Sequence, residues 1–207
     1  MDIDINLLVE EVVKRLKEKL AIPIEASGRH VHLSREHLDI LFGKGYELTR
    51  AKDLSQPGQY ACKERVMLIG PKGRLNNVAI LGPTRGSTQV EISKTDEAFL
   101  GLKAPVRESG KIEDSEAIII ATEKGSVAIN EGVIIAKRHI HINSKDQELF
   151  NVKHGQIVRV KAGGDRPLVF HEVVIRVSDR FSTRMHIDYD EANALGYRKD
   201  SKAYILD

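Results

Sequence analysis

The feature that most constrains this chain is a short stretch that occurs twice. Ser27-Gly28-Arg29-His30-Val31-His32-Leu33-Ser34 and Ala136-Lys137-Arg138-His139-Ile140-His141-Ile142-Asn143 share one order of side-chain types: small, basic, His, β-branched, His, apolar, polar. Two histidines at i and i+2 of an extended strand project from the same face. That face can offer both imidazoles to one metal ion. A single His-x-His pair is more often just a polar strand face. Its return at a matching place in the second half of the chain favours a site in each half.

The later part of each half repeats as well. Val78-Ala79-Ile80, Arg85, Ser87-Thr88 and Glu91-Ile92-Ser93 align without gaps on Val173-Val174-Ile175, Arg180, Ser182-Thr183 and His186-Ile187-Asp188. The offset is 95 here (186 less 91) and 109 for the His-x-His strands (139 less 30), so the second half is shorter between its motifs. The pattern is that of a duplicated β-rich unit, and such units close into barrels or sandwiches. Duplication also makes a chemical statement. If one half supplies a third ligand, the other supplies one at the equivalent place, and Glu91 is equivalent to His186. The candidate sets are His30, His32 and Glu91, and His139, His141 and His186. His₂Glu and His₃ are the usual three-ligand sets of catalytic zinc. Iron, cobalt and nickel accept the same donors. Arg85 and Arg180 are a second equivalent pair, each after a turn. A guanidinium beside a metal suits an oxyanion such as phosphate, and the Gly82-Pro83-Thr84-Arg85-Gly86 setting favours Arg85. His37, on a helix outside the His-x-His strand, reads as a surface or packing histidine, and His154 and His171, without a partner in the other half, read as structural or exposed.

The expected fold is mainly β with short helices. It comprises two related small β-barrel domains, residues 22–110 and 111–207, preceded by an N-terminal amphipathic helix over 1–21. Apolar residues at 5, 8, 9, 12, 13, 16 and 20 have helical spacing. Strands are expected over 24–33, 66–69, 78–81, 117–121, 133–142, 157–161 and 169–177. Ser34 reads as the N-cap of a helix running to Phe42, and residues 105–116 read as a polar linker or excursion between the halves.

Composition excludes several functions. Net charge is only +2, aromatics make up 5%, and Trp is absent, which argues against a nucleic-acid binder. No run approaches the ~20 apolar residues of a membrane helix, and the N-terminus lacks the pattern of a secretory signal. The single Cys62 cannot form an internal disulfide and fits a reducing, cytoplasmic setting. From the residues alone the same side chains would serve a metallohydrolase acting on an ester or phosphoester, or a non-catalytic metal-binding assembly protein.

SGRHVHLS, LGPTRGSTQVEIS, RHIHIN and STRMHIDYDEANA together resemble the PduL-type phosphate acyltransferases, or phosphate propanoyltransferases (phosphotransacylases), from about Ile22 to the C-terminus. The resemblance implies two β-barrel domains with two zinc ions close together between them. It implies His30, His32 and Glu91 on one zinc, His139, His141 and His186 on the other, and Arg85 on phosphate. Coenzyme A contacts carry over to Ser27, Lys52, Leu81, His186 and Asn193. One arginine of the family's coenzyme A site falls on Ala79. The implied reaction converts propanoyl- or acetyl-coenzyme A plus phosphate into acyl phosphate plus coenzyme A, reversibly. Members from bacterial microcompartments often carry an N-terminal encapsulation helix, so shell or cargo contacts through 1–21 are an expectation, as is a homo-oligomer. The preferred acyl chain is not legible.

Overall fold

Runs of Val and Ile such as Ile118-Ile119-Ile120 and Val133-Ile134-Ile135 favour extended backbone. The computed structural model describes residues 5–206. In the first half, α1 (Ile5–Lys19) leads to β1 (Ile22–Ser27), β2 (His30–His32), α2 (Arg35–Phe42), β3 (Arg50–Asp53), β4 (Tyr60–Ile69), β5 (Arg74–Gly82), β6 (Gln89–Glu91), α3 (Lys94–Leu100), β7 (Val106–Arg107), β8 (Glu116–Ala121) and β9 (Ser126–Ala136). The second half has β10 (His139–Asn143), α4 (Gln147–Phe150), β11 (Ile157–Ala162), β12 (Leu168–Ser178), β13 (Arg184–Asp188), α5 (Tyr189–Leu195) and β14 (Lys202–Ile205).

The strands form two closed six-stranded barrels. One runs β1-β13-β10-β12-β11-β14. The other runs β4-β5-β2-β6-β9 and is closed by β8, which pairs with both β4 and β9; β3 and β7 are appended to its ring. In both barrels the His-x-His strand lies parallel to one neighbour and antiparallel to the other. Each ring encloses its own apolar core. Val31, Leu68, Ile80, Val90, Ile120 and Val133 are buried in one. Ile140, Ile142, Val160, Val173, Ile175 and Met185 are buried in the other. Along β10, buried Ile140 points inward, so His139 and His141 take the opposite, outer face.

The compact units are not consecutive in sequence. One comprises 26–137 and 187–192, the other 1–25, 138–186 and 193–207. A boundary at 110/111 does not coincide with this division, because β8 and β9 pair with β4 and β6. The strand leading into each His-x-His motif belongs to the other ring: β1 closes the ring of β10, and β9 closes the ring of β2. For the same reason the expected continuous strands 24–33 and 133–142 are each broken, at 28–29 and 137–138. Residues 105–116 are not a free linker. They contain β7, which pairs with β9.

The duplication persists in hydrogen bonding. Ser34 N donates to Thr88 Oγ1 at 2.9 Å, and Asn143 N donates to Thr183 Oγ1 at 3.0 Å. Thr88 Oγ1 meets His37 Nδ1 at 2.8 Å, while Thr183 Oγ1 donates to Asp146 at 2.5 Å. His37 therefore shares the offset of 109 with Asp146 as a partner of the repeated threonine. Ser93–Asp96 and Asp188–Glu191 form reciprocal caps on α3 and α5. Left-handed residues recur too, Asn77 (φ 58°) and Glu172 (φ 54°), one position before Val78 and Val173, where irregularities in the ladders of β5 and β12 re-aim each strand. The cap expected at Ser34 is present: its Oγ accepts from His37 N at 3.2 Å. Among the described residues no helix is long and apolar enough to cross a membrane.

Candidate metal centres

In one unit, β2 and β6 pair so that His30 faces Glu91 across the ladder. Directly opposite residues share a face, and His32 joins that face two residues on. One ligand atom from each of His30, His32 and Glu91 lies within 4.8 Å of the others. His30 Nε2 and Glu91 Oε2 are 3.5 Å apart. Two donors at ~2.0–2.1 Å from a tetrahedral ion stand roughly 3.4 Å apart, so this spacing fits a shared cation. His30 Nδ1 donates to Gly28 O at 2.8 Å and His32 Nδ1 to Leu81 O at 3.2 Å. These carbonyls fix the tautomer and leave both Nε2 lone pairs for a metal.

Electrostatics match that arrangement. Burial raises the Glu91 pKa, but His30, His32 and Ser109 outweigh it and hold the carboxyl well below its usual range. Burial works to lower His30, yet the Glu91 carboxylate leaves it raised. His32 is pushed down to about 3 by burial, then by the charges of His30 and Arg85. It is therefore neutral at any ordinary pH. Arg85 lies in the segment between β5 and β6. Its backbone N donates to Leu33 O at 2.9 Å, and its Nη1 donates to Ser109 Oγ at 3.3 Å.

In the other unit, β10 and β13 place His139 opposite His186 in the same register. The ring centroids of His139, His141 and His186 lie 4.6 to 5.1 Å apart, and one nitrogen of each falls within 4.8 Å of the others. Burial, followed by the neighbouring His139 and His186, lowers the His141 pKa strongly. Its Nδ1 is buried without a hydrogen-bond partner. A nitrogen in that state fits a bound cation, and three imidazoles are a zinc-type donor set.

Of the other expected site residues, Ser27 ends β1 and is half-buried, Lys52 is exposed on β3, and Leu81 lies on β5 with its carbonyl on His32. Asn193 is exposed on α5. Arg180 is exposed in the turn after β12, and the guanidinium whose charge bears on His141 is Arg176.

Sequence reasoning missed Gln89 and Ser109. Gln89 is 2% exposed. Its Nε2 donates to Glu91 Oε1 at 2.6 Å and to Ser109 Oγ at 2.8 Å, and its Oε1 accepts from Gly110 N at 2.7 Å. Ser109 thus ties Gln89, Glu91 and Arg85 together. A signal for Gln89 existed, because it stands two residues before Glu91 on a strand and shares its face. Ser109 gave none, lying in a polar stretch without periodicity.

The phosphate propanoyltransferase family model matches residues 23–198. A phosphate propanoyltransferase of Clostridioides difficile is 59% identical over 202 residues, covering 98% of this chain and 97% of the relative. That of Listeria monocytogenes is 55% identical, covering 98% and 95%, and that of Thermotoga maritima is 50% identical, covering 96% and 95%. Both histidine clusters and Arg85 fall inside the matched span, and on this likeness over nearly its whole length the chain belongs to the phosphate propanoyltransferases, a family of phosphate acyltransferases.

Proposed function

We propose that this enzyme is zinc-dependent, holding two zinc ions per chain, and that it transfers propanoyl or acetyl groups between coenzyme A and phosphate. The observation that carries the reading is the repeated register. His30 opposite Glu91 and His139 opposite His186 each complete a three-donor set around a His-x-His strand.

His30, His32 and Glu91 would hold one ion, and His139, His141 and His186 the other. Zinc in such sets supplies a Lewis acid for the thioester carbonyl and a soft partner for the departing thiolate. Arg85 is the catalytic cation. Its guanidinium holds phosphate in line with the carbonyl carbon and strengthens that grip as charge redistributes. A phosphate oxygen bonds to that carbon, the C–S bond breaks, and coenzyme A leaves as thiolate. Phosphate enters already ionised, so no side chain need remove a proton. Ser27, Lys52, Leu81, His186 and Asn193 are assigned to coenzyme A. The Gly28 and Leu81 carbonyls keep His30 and His32 oriented, and Gln89 does the same for Glu91.

The proposal extends to a cytoplasmic enzyme housed in a microcompartment. It is supported by α1, whose Val9, Val12, Val13 and Leu16 are exposed at helical spacing suited to a partner surface.

The test joins elemental analysis of unstripped protein to an assay with propanoyl- and acetyl-coenzyme A. About two zinc per chain and phosphate-dependent loss of the thioester are expected. Less than one transition metal per chain refutes the two-site reading. Equal thioester loss in phosphate-free buffer makes the protein a metallohydrolase.

A further inference from the structure

The two histidine sets are equivalent in register, but their flanks differ. In the barrel of β10, His141 stands opposite Arg176 on β12 and opposite Arg184 on β13. Directly opposite residues project from one face, so His141 lies between two guanidinium-bearing positions on the outer face shared with His139 and His186. The equivalents in the other barrel, at an offset of 95, are uncharged: Leu81 and Gln89.

Neither arginine is neutralised. Among the described residues no carboxylate pairs with Arg176 or Arg184, and Arg184 Nε is buried without a hydrogen-bond partner. The Arg176 guanidinium lies 5.9 Å from the ring centroid of Phe181, which itself stacks on His141 at 4.0 Å. A partly buried guanidinium without an acceptor is costly, and the positive charge that these two guanidinium groups bring beside His141 has no paired carboxylate among the described residues. Gln89 shows the contrast: its amide is fully engaged by Glu91, Ser109 and Gly110.

We propose that Arg176 and Arg184 form a cradle for a phosphate dianion at the three-histidine set. Two planar forks on either side of His141 suit the several oxygens of a phosphate group. The proposal rests on the acyltransferase reading. Two sources share the chemistry: the phosphoryl group being transferred, and the 3′-phosphate of coenzyme A.

The experiment uses the full-length, zinc-loaded chain and its Arg176→Gln, Arg184→Gln, Arg184→Lys and doubly Gln-substituted forms. Inorganic phosphate binding is measured by calorimetry and by the rise in melting temperature that phosphate produces. KM is measured for phosphate, propanoyl-coenzyme A and its 3′-dephospho analogue. Each Gln variant should bind phosphate about tenfold or more weakly, as loss of a charge-assisted contact predicts. Arg184→Lys should recover part of the loss, and metal content should stay at the wild-type value. A defect confined to propanoyl-coenzyme A, and absent with its 3′-dephospho analogue, supports the cradle and assigns it to the cofactor's phosphate. A double variant with wild-type phosphate affinity and wild-type KM values overturns the inference, as does phosphate loss that merely tracks metal loss. A wild-type protein without phosphate-dependent transfer refutes the acyltransferase reading instead, which separates the two failures.

Discussion

Replacing Gln89 by Leu tests whether the Glu91 site is built by its surroundings. Leu is close to Gln in volume, so the change removes hydrogen bonds without opening a large cavity. Three bonds disappear: those from Nε2 to Glu91 Oε1 and Ser109 Oγ, and that from Gly110 N to Oε1. A bond to a charged acceptor contributes about 1.5–3 kcal/mol, and an orphaned backbone N–H costs about 1–3 kcal/mol. The Ser109 hydroxyl keeps its Arg85 donor. The expected destabilisation is therefore about 3–5 kcal/mol, measurable by urea unfolding of the metal-free protein. Glu91 also loses the contact that fixes its carboxylate opposite His30, and loss of such an orienting partner typically weakens a metal site by about 10–100-fold. Competition with a fluorescent zinc chelator should show that loss at one of the two sites and leave the other unchanged. A variant with stability within about 0.5 kcal/mol of wild type and two unaltered zinc affinities would refute the reasoning.

Arg85→Ala should keep its metal, raise the KM for phosphate and lower turnover by about a hundredfold or more, as loss of a contact made in the transition state predicts. Arg180→Ala, at an exposed turn, should change neither by more than about twofold; steady-state kinetics with metal analysis decides, and a larger defect at Arg180 reverses the assignment. In the metal-free protein the Glu91–His30 pair should contribute most between the unfolded values 4.5 and 6.5, on a background in which the lowered pKa values of His32 and His141 make overall stability fall as pH drops below 6.5. Glu91 has a depressed pKa, so its contribution is present above 4.5 and lost as pH falls through the folded value. His30 has a raised pKa, so its contribution is present below 6.5 and lost as pH rises through its folded value. Urea midpoints across pH 3–9 for metal-free wild type, less those for Glu91→Gln, should be largest in that window; a difference that does not vary with pH would sink the ion-pair account.

The chemistry was more legible than the architecture. His-x-His identifies a strand face because the side-chain period of a strand is two, a purely local property. The repeat then singled out Glu91 and His186, since equivalent positions inherit equivalent backbone, and the ladders place each opposite the first histidine of its set. Ser34 as a cap was readable because capping is a contact over three residues.

What the sequence withheld depends on pairing between distant segments. Nothing in Ile22-Pro23-Ile24 says that β1 closes the ring of β10, or in Val133-Ile134-Ile135 that β9 closes the ring of β2. A β-branched run declares itself a strand without naming its neighbour, because ladder bonds use backbone groups common to every residue. Ser109 became part of the Glu91 site only when the polar stretch around it folded beside Gln89. Arg176 and Arg184 became neighbours of His141 only through the register of β12 and β13. Local periodicity determined which residues share a face; only the tertiary structure, by fixing register, decided which faces meet.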